Sequence, residues 1–323
     1  MTFAELRNAF LNGRIEKKLY WQETRENYTI LLPQLLEVVK DNSEIANITI
    51  DKSGVILTNS NEMKHYFFFD ETFCRAEAEL AGSGDYEKED MNVVVSYLNK
   101  TGGRNVFDIG ANAGLYSLNL YYELNGGEYT MFEPLTTTFE KLKKNLKLNN
   151  VDMALFHPVN MGISDKEGTF DFYMPGASEA ASLEPVNDEF YLKNSDDEGN
   201  YIGSSQMKKA RCKVTTLDEY VGTNKPANID FIKIDVEGNE KFVLNGAYNT
   251  LKTYRPLVYS ELLRKHCKRF GYHPNEVIAY MREFDYNCFT IHNGCITEIA
   301  EINDDTEETN FFFATDEQRY SLK

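Results

Sequence analysis

The spacing of apolar residues in the first part of the chain has a helical period. Apolar residues recur three or four positions apart from Phe3 through Leu6 to Phe10, and the pattern resumes after residue 20 with Pro33 in its middle. We expect helices up to about residue 45, interrupted at Pro33 because proline removes a backbone donor and clashes with the preceding turn. These helices form an arm that is a candidate surface for self-association.

Short β-prone runs follow between residues 47 and 70. They are rich in Ile, Val, Tyr and Phe, and turn sequences such as Ser53-Gly54 separate them. We therefore predict a small sheet. Helical arm and sheet together make an N-terminal region over residues 1–85, ahead of a main domain over residues 86–323.

In the main domain, strand-like and helical patterns alternate, which predicts parallel strands with helical crossovers. The predicted strands cover residues 105–109, 128–132, 154–160, 229–234, 256–260 and 310–314. The predicted helices include residues 86–100, 115–124, 135–148 and 274–282. A hairpin is predicted over residues 287–299, because Asn293-Gly294 suits the two positive φ angles of a type I′ turn. The fold class is therefore α/β.

An acidic stretch over residues 176–205 breaks this alternation. It carries seven Asp and Glu residues against one lysine, Lys193. A solvated insertion is the favoured interpretation. The alternative is a lid over a ligand site, because the stretch lies between the third and fourth parallel strands.

Composition narrows the class of protein. The chain has 323 residues and a formal net charge of -17, with 42% hydrophobic and 13% aromatic residues. So much apolar surface excludes a wholly disordered acidic chain. The negative charge argues against a nucleic-acid partner, whose binding relies on clustered Lys and Arg.

Cysteine usage and the absence of apolar segments predict a soluble cytoplasmic protein. The five cysteines form no Cys-x-x-Cys pair, the N-terminus lacks a signal-peptide core, and no apolar run is long enough to span a bilayer. In the predicted hairpin, Cys288 pairs with Ile299 and His292 with Cys295. A disulfide between the two hairpin cysteines is therefore not expected.

A small-residue turn follows the first parallel strand. Gly110 and Gly114 flank it, and a helix begins near Leu115. Such a turn lets the backbone approach a ligand, and the free amides of the helix start attract a carboxylate or phosphate. Leu115 stands where the third glycine of a dinucleotide fingerprint belongs, so a dinucleotide site is disfavoured.

Glu133 strengthens this interpretation because it ends the next strand, 23 residues after Gly110. An acid at that place can accept hydrogen bonds from both hydroxyls of a ribose. The alternative role is a cap for the helix that begins near Pro134. An adenosine ligand with a small, partly anionic tail fits both features.

Several motifs then occur in a fixed order and together resemble the FkbM family of S-adenosylmethionine-dependent methyltransferases. The motifs are Asp108-Ile-Gly-Ala-Asn-Ala-Gly-Leu-Tyr-Ser, Phe132-Glu-Pro, Gly162-Ile-Ser-Asp-Lys-Glu-Gly, Thr216-Leu-Asp, Ile232-Lys-Ile-Asp-Val-Glu-Gly and Arg255-Pro. The resemblance covers residues 86–314. It implies S-adenosylmethionine as cofactor, S-adenosylhomocysteine as product, and a class I methyltransferase (Rossmann-like) sheet of seven strands with helices on both faces and one antiparallel strand.

The resemblance also implies which residues hold the cofactor. Those at the methionine end would be Asp108, Gly110, Asn112, Gly114 and Ser117, with Ala111 and Asp235 beside them. Glu133 would hold the ribose. Those flanking the adenine would be Asn160, Met161 and Gly162, together with Asp165. Tyr86 and Glu87 would close over the cofactor, although a helix N-terminus, where Glu87 suits the dipole, explains them equally well.

Methyl transfer from a sulfonium is an in-line displacement, so the protein must align an acceptor oxygen and remove its proton. The candidate bases follow the fourth and fifth parallel strands, whose ends converge on one crevice. They are Asp235, Glu237, Glu261 and His266. We interpret Lys233 as a structural ion-pair partner.

A magnesium ion between Asp235 and Glu261 is the less favoured alternative. Leu262 and Leu263 stand where related metal-dependent enzymes carry a further acid, so no metal ligands are predicted. The resemblance implies a small-molecule or glycan acceptor that offers a hydroxyl. Two other classes stay open, a noncatalytic module that binds S-adenosylmethionine and a nicotinamide-dependent oxidoreductase.

Overall fold

A computed structural model describes residues 2–41, 45–52, 54–69, 72–73, 87–175, 182–184, 207–292 and 294–322. Its helices are α1 (Phe3–Leu11), α2 (Lys17–Asp41), α3 (Lys88–Thr101), α4 (Leu115–Leu124), α5 (Thr136–Leu148), α6 (Leu217–Asn224), α7 (Glu240–Asn245), α8 (Tyr248–Tyr254), α9 (Arg264–Arg269), α10 (Pro274–Arg282) and α11 (Asp316–Leu322). Its strands are β1 (Ile45–Asp51), β2 (Gly54–Asn59), β3 (Lys64–Phe69), β4 (Thr72–Phe73), β5 (Asn105–Ile109), β6 (Glu128–Phe132), β7 (Phe156–Val159), β8 (Gly162–Ile163), β9 (Gly168–Pro175), β10 (Met207–Thr215), β11 (Phe231–Ile234), β12 (Leu257–Glu261), β13 (Tyr286–His292), β14 (Cys295–Ile299) and β15 (Asn310–Thr315).

The largest sheet confirms the predicted α/β class. Its strand order is β14-β13-β15-β12-β11-β5-β6-β7, and the five strands from β12 to β7 run parallel. Strand β15 pairs antiparallel with β12, as the resemblance implies. Strand order reverses between β5 and β11, so the carboxyl ends of these strands border the crevice in which open α/β sheets bind ligands.

The resemblance implies seven strands in this sheet, whereas the described residues form eight. The additional strand is β14, which pairs antiparallel with β13 in the register expected of the hairpin. Cys288 lies opposite Ile299 and His292 opposite Cys295, and both cysteine thiols are free. The hairpin therefore extends the sheet edge instead of standing apart from it.

A second sheet, of order β8-β10-β9, was missed from the sequence. Strands β9 and β10 pair antiparallel and flank the acidic stretch, which lies outside the described residues except for residues 182–184. The apolar face of this sheet packs Phe172, Cys212 and Val214 against Leu135. It therefore covers the turn that follows β6.

The N-terminal region contains the predicted helices and a four-stranded sheet of β1 to β4. The expected break at Pro33 is wrong, because α2 runs unbroken through it. Apolar spacing stays in one helical phase on both sides of Pro33, so the helix continues despite one lost backbone donor. Strand β3 contacts α5, where Asn145 Oδ1 accepts a hydrogen bond from the Tyr66 amide at 3.0 Å. The domain division at residue 85 stays a prediction.

Side chains of the central strands alternate between the two sides of the sheet, and each side has its own hydrophobic core. In β11, Ile232 and Ile234 join the core on one side of the sheet, while Phe231 joins the other. Because side chains alternate with a period of two, Lys233 and Asp235 point to the same side as Phe231. No helix among the described residues is both long and apolar enough to cross a bilayer.

Candidate active site

The turn after β5 is fixed by close backbone contacts. The amides of Gly110 and Ala111 both donate to the carbonyl of Phe132, at 3.0 and 2.9 Å, and the Asp235 amide donates to Ile109 at 3.0 Å. Gly110 has a φ of +88°, and a Cβ there would lie 1.8 Å from the Asp235 carbonyl oxygen. Only glycine therefore allows the ends of β5 and β11 to meet.

Glu133, the predicted ribose-binding residue at the end of β6, has hydrogen bonds to three neighbouring residues. Its Oε2 accepts from the Asn112 amide at 3.1 Å and its Oε1 from the Leu135 amide at 2.8 Å. Asn160 donates from Nδ2 to the carbonyl of Glu133 at 2.9 Å. Burial raises the pKa of Glu133 to about 8. Oε1 thus contacts the amide of Leu135, the N-cap residue of α5, while each carboxylate oxygen keeps a second lone pair for a ligand hydroxyl.

Asp108 and Ser117 also come together as predicted. Both are fully buried, and Ser117 donates from Oγ to Asp108 Oδ2 at 2.6 Å. Burial raises the pKa of Asp108, whereas Lys233 and the Ser117 hydroxyl act in the opposite direction. Ser117 lies in the first turn of α4, whose N-cap is Gly114 with a φ of +83°.

Among the described residues, Lys233 is the cation that lies with the acids Asp235, Asp108 and Glu87. Its Nζ lies 2.9 Å from Asp235 Oδ2 and 5.3 Å from the ring centre of Tyr116. Burial alone would lower its pKa, but Asp235, Asp108 and Glu87 raise it. For Glu87, burial raises the pKa to about 7. Lys233 therefore stays charged and partly compensates three carboxylates.

These residues fit a cationic amino-acid ligand. Four buried polar atoms of the group have no hydrogen-bond partner among the described residues, namely Asp108 Oδ1, Asn112 Oδ1, Glu87 Oε2 and Tyr116 OH. The acids outnumber the one lysine, so an ammonium and a sulfonium would relieve their mutual repulsion. Tyr86, the other residue expected to close over the cofactor, lies outside the described residues.

The predicted adenine-side residues are only partly grouped. Met161 is half-buried beside Asn160, and Gly162 is buried, with its missing Cβ position 3.2 Å from Phe172 and 3.3 Å from Val214. Asp165 is exposed, and its hydrogen bond runs to Ser164 at 3.4 Å instead of to the Glu133 group. The geometry thus links Asn160 to Glu133, whereas the hydrogen bond of Asp165 runs to Ser164.

Three of the four predicted bases, Glu237, Glu261 and His266, form a group beside the Lys233 acids, whereas the fourth, Asp235, pairs with Lys233. Nδ1 of His266 lies 3.2 Å from Glu237 Oε2 and 3.9 Å from Glu261 Oε2. Burial raises the pKa of both glutamates, and Asp235 raises each further. Among the described residues, no group of three or more His, Cys, Asp or Glu side chains has an arrangement that could hold a metal ion. The magnesium alternative gains no support here.

Two aromatic residues and one acid of this region were missed from the sequence. Tyr116 stacks on Tyr259, with ring centres 6.1 Å apart, and Tyr259 donates to Asp90 Oδ2 at 2.7 Å. The period-two pattern of a regular β11 places Lys233 and Asp235 on one face, and the ion pair between them agrees with the structural role expected of Lys233. No sequence signal links Asp90 to Tyr259, because 169 residues separate them.

The buried acids make a pH effect on stability measurable. We expect the melting temperature of the cofactor-free protein to fall as the pH rises from about 5 to about 8. Burial raises the pKa of Glu87 to about 7 and of Glu133 to about 8, from an ordinary value of 4.5. In this interval the unfolded chain has released these protons and the folded protein still binds them, so raising the pH favours unfolding.

Differential scanning fluorimetry across this pH range measures the effect. Glu133→Gln should flatten the slope, because it removes one of the titrating groups. A melting temperature that rises steadily over the interval would contradict the raised pKa values.

Comparison with known proteins gives the family. Residues 108–288 match the family described as the methyltransferase FkbM domain, which is more than half of the chain. Among curated proteins, the AMB antimetabolite synthetase AmbE of Pseudomonas aeruginosa is 27% identical over 234 residues, 61% of this chain and 11% of AmbE. Methyltransferase 1 of Beauveria bassiana is 27% identical over 146 residues, 44% of this chain and 57% of the relative.

The chain thus matches between about a tenth and three fifths of the length of these relatives. A solved structure of an FkbM methyltransferase from Methylobacillus flagellatus is 15% identical, with a TM-score of 0.40 over 65% of this chain and 43% of that one. Because the family match covers more than half of its residues, the chain belongs to the FkbM family of S-adenosylmethionine-dependent methyltransferases.

Proposed function

We propose that the protein transfers the methyl group of S-adenosylmethionine to a hydroxyl of a sugar, a glycan or a related natural product. The observation that carries this proposal is the adjacency of two groups at the ends of β11 and β12. One is the acid group around Lys233, and the other contains Glu237, Glu261 and His266. A site for a cationic methyl donor therefore lies beside groups able to accept a proton.

Bound S-adenosylmethionine supplies an electrophilic methyl group on its sulfonium. Asp108, Asn112 and Glu87 offer the unpartnered atoms that would receive the methionine end. Glu133 would accept hydrogen bonds from the ribose hydroxyls, with Asn160 fixing the Glu133 carbonyl. Backbone contacts of Gly110 keep the turn rigid, so the residues that would hold the methyl donor stay beside the end of β11.

Proton removal is assigned to His266. A carboxylate 3.2 Å from Nδ1 favours the tautomer that carries its proton there, which makes Nε2 the proton-accepting nitrogen. Asp235 acts on Glu261 by raising its pKa, and these two carboxyl groups are the candidates for binding a second acceptor hydroxyl. A polyhydroxylated acceptor suits this set of neighbouring carboxylates.

The direct test is transfer of a labelled methyl group. S-adenosylmethionine with a ¹³C methyl group is incubated with the protein and with polar metabolites and released glycans from cells that lack the gene. A new labelled methoxy carbon on a hydroxyl supports the proposal. Binding of S-adenosylhomocysteine with no methoxy product would favour a noncatalytic binding module, and saturable binding of NADH would favour an oxidoreductase. The synthetase named for an antimetabolite among the relatives supports including small natural products among the acceptors.

A conservative change tests the ribose contact. Glu133→Gln is expected to weaken binding of S-adenosylhomocysteine by about tenfold to a hundredfold, because a buried amide cannot accept from two backbone amides and two hydroxyls at once. Isothermal titration calorimetry measures the affinity. Glu128→Gln, at the exposed start of the same strand, is the matched control. Equal affinities of the two variants would remove Glu133 from the cofactor site.

Self-association through the N-terminal arm is a further part of the proposal. Eight of the twelve large apolar side chains that the described residues expose lie on α1 and α2. Residues 1–41 hold six basic and six acidic residues, so the arm is neutral in a chain of net charge -17. A second copy that approaches through the arm would thus meet less electrostatic repulsion than the net charge of the whole chain implies. Cytoplasmic location and the lack of a nucleic-acid partner stay predictions.

Sedimentation velocity tests the arm. Trp21, Tyr28, Leu32 and Leu36 lie within one face of α2 and are each about half-exposed. We expect the double change Trp21→Ser and Leu32→Ser to shift a dimer toward monomer at micromolar concentration. Tyr320→Ser, an exposed aromatic outside the arm, should have no effect. A wild-type protein that is monomeric at these concentrations would overturn the proposal.

A further inference from the structure

The turn that carries Glu237 is held from inside by a second glutamate. Glu240 is 1% exposed and is the first residue of α7. Its Oε1 accepts hydrogen bonds from the amides of Val236, at 3.2 Å, and Gly238, at 3.0 Å. Its Oε2 accepts from the Tyr272 hydroxyl at 3.0 Å. The Glu240 carboxylate therefore binds the chain on both sides of Glu237.

The backbone of Glu237 needs such support. Its φ of +56° lies in the left-handed region, which costs a residue with a Cβ about 1–2 kcal/mol. Conformations of this kind persist where the surroundings hold them in place. Arg269 adds a further contact, because its Nη2 donates to the Glu237 carbonyl at 3.0 Å. Since Arg269 and His266 both lie on α9, the turn is tied to the helix that carries the histidine.

We propose that Glu240 is a positioning residue that fixes the turn so that the Glu237 carboxylate faces Nδ1 of His266. The effect of Glu240 on catalysis rests on the proposed function. Its effect on the position of Glu237 relative to His266 does not. Glu240 fills this role because its side-chain oxygens accept hydrogen bonds, and its negative charge is not required. A glutamine at position 240 would keep an oxygen for both amides and could donate its NH₂ group to the Tyr272 oxygen, with the tyrosine hydroxyl turned to the Gly238 carbonyl 3.0 Å away.

Kinetics separate positioning from stability. Glu240→Ala is expected to lower kcat by about tenfold to a hundredfold, since a displacement of about 1 Å at a reacting group has effects of this size. Binding of S-adenosylhomocysteine should be unchanged and also gives the fraction of folded protein. Glu240→Gln should stay within about threefold of wild type. In a His266→Gln background, Glu240→Ala should cause no further loss, because two changes that act through one group are not additive.

An NMR titration tests the positioning without any acceptor. Nearby, Glu237 and Glu261 lie within 4 Å of His266 Nδ1, and Asp235, Lys265 and Arg269 act on Glu237. In protein labelled with ¹³C-histidine, Glu240→Ala should shift the titration midpoint of His266, because the Glu237 carboxyl group moves relative to Nδ1 of His266. Glu240→Gln should shift it by less than half as much.

The outcomes distinguish the inference from the function on which it rests. Suppose that the protein methylates no acceptor, but that Glu240→Ala shifts the titration midpoint of His266 and Glu240→Gln does not. The inference would then stand, and the proposed function would be refuted. Methyl transfer in which Glu240→Ala lowers only the melting temperature, with kcat per folded molecule and the His266 midpoint both unchanged, would overturn the inference. Equal losses of kcat in the Ala and Gln variants would overturn it too, because charge would then be the property that matters.

Discussion

Replacing His266 with glutamine is expected to lower kcat for methyl transfer by about 10²–10⁴-fold, the usual contribution of a general base. The side chain is 12% exposed, and its Nδ1 faces Glu237 at 3.2 Å. Glutamine keeps a polar side chain of similar length but cannot take up the hydroxyl proton. The affinity for S-adenosylhomocysteine should be unchanged, since the cofactor contacts are assigned to residues around Lys233 and Glu133.

The control for this change is His292→Gln. His292 ends β13, and its side chain is 69% exposed, so its replacement should leave kcat unaltered. Glu261→Gln helps to identify the base, because it neutralises the other carboxylate near His266. If His266→Gln retains most of its activity while Glu261→Gln is inactive, the proton goes to the carboxylate and the assignment to histidine is wrong.

The second large effect is expected for Gly110→Ala. Its Cβ would lie 1.8 Å from the Asp235 carbonyl oxygen, so two backbone segments must separate before the residue fits. We expect the free energy of unfolding to fall by more than about 4 kcal/mol, a loss that single changes reach only by a specific mechanism such as this. Cofactor binding should disappear along with the contact between the ends of β5 and β11.

A matched glycine separates this contact from backbone strain alone. Gly102 also has a positive φ, +73°, but a Cβ there meets nothing within 4 Å. Gly102→Ala should therefore cost only about 1–2 kcal/mol, the strain of a left-handed conformation. Urea unfolding of both variants, with calorimetric binding of S-adenosylhomocysteine, gives the comparison. Losses of the same size in the two variants would show that the Asp235 contact has no particular weight.

Much of the fold was predictable because local patterns and long-range packing agree. The strands over residues 105–109 and 128–132 and the helices over residues 115–124 and 274–282 have the predicted bounds. Their apolar periods match the buried faces they form, so propensity and tertiary contacts favour the same element. The Asn293-Gly294 turn likewise predicts the pairing of β13 with β14, since a two-residue turn sets the register of its strands.

Errors arose where the sequence gives no long-range information. A hairpin pattern does not say whether its outer strand joins the main sheet, so the eighth strand was missed. Strand β10 alternates basic and small residues, with Lys209, Arg211 and Lys213 exposed, and carries a weak apolar signal. Pro33 predicts a break because its ring disfavours the preceding turn, yet α2 continues through it.

The sequence by itself determined the α/β class, the family motifs and the set of candidate side chains, because these depend on residue type and on spacing along the chain. Tertiary structure alone decided which of them share a site. It brought Asp90 to Tyr259, placed Lys233 among three carboxylates, and set His266 against Glu237. The reason is physical. A carboxylate, lysine or histidine side chain has its usual pKa in water, and burial beside specific charged or hydrogen-bonding partners changes that pKa. Such partners come from strand ends and helices far apart in the chain, which only the folded sheet brings together.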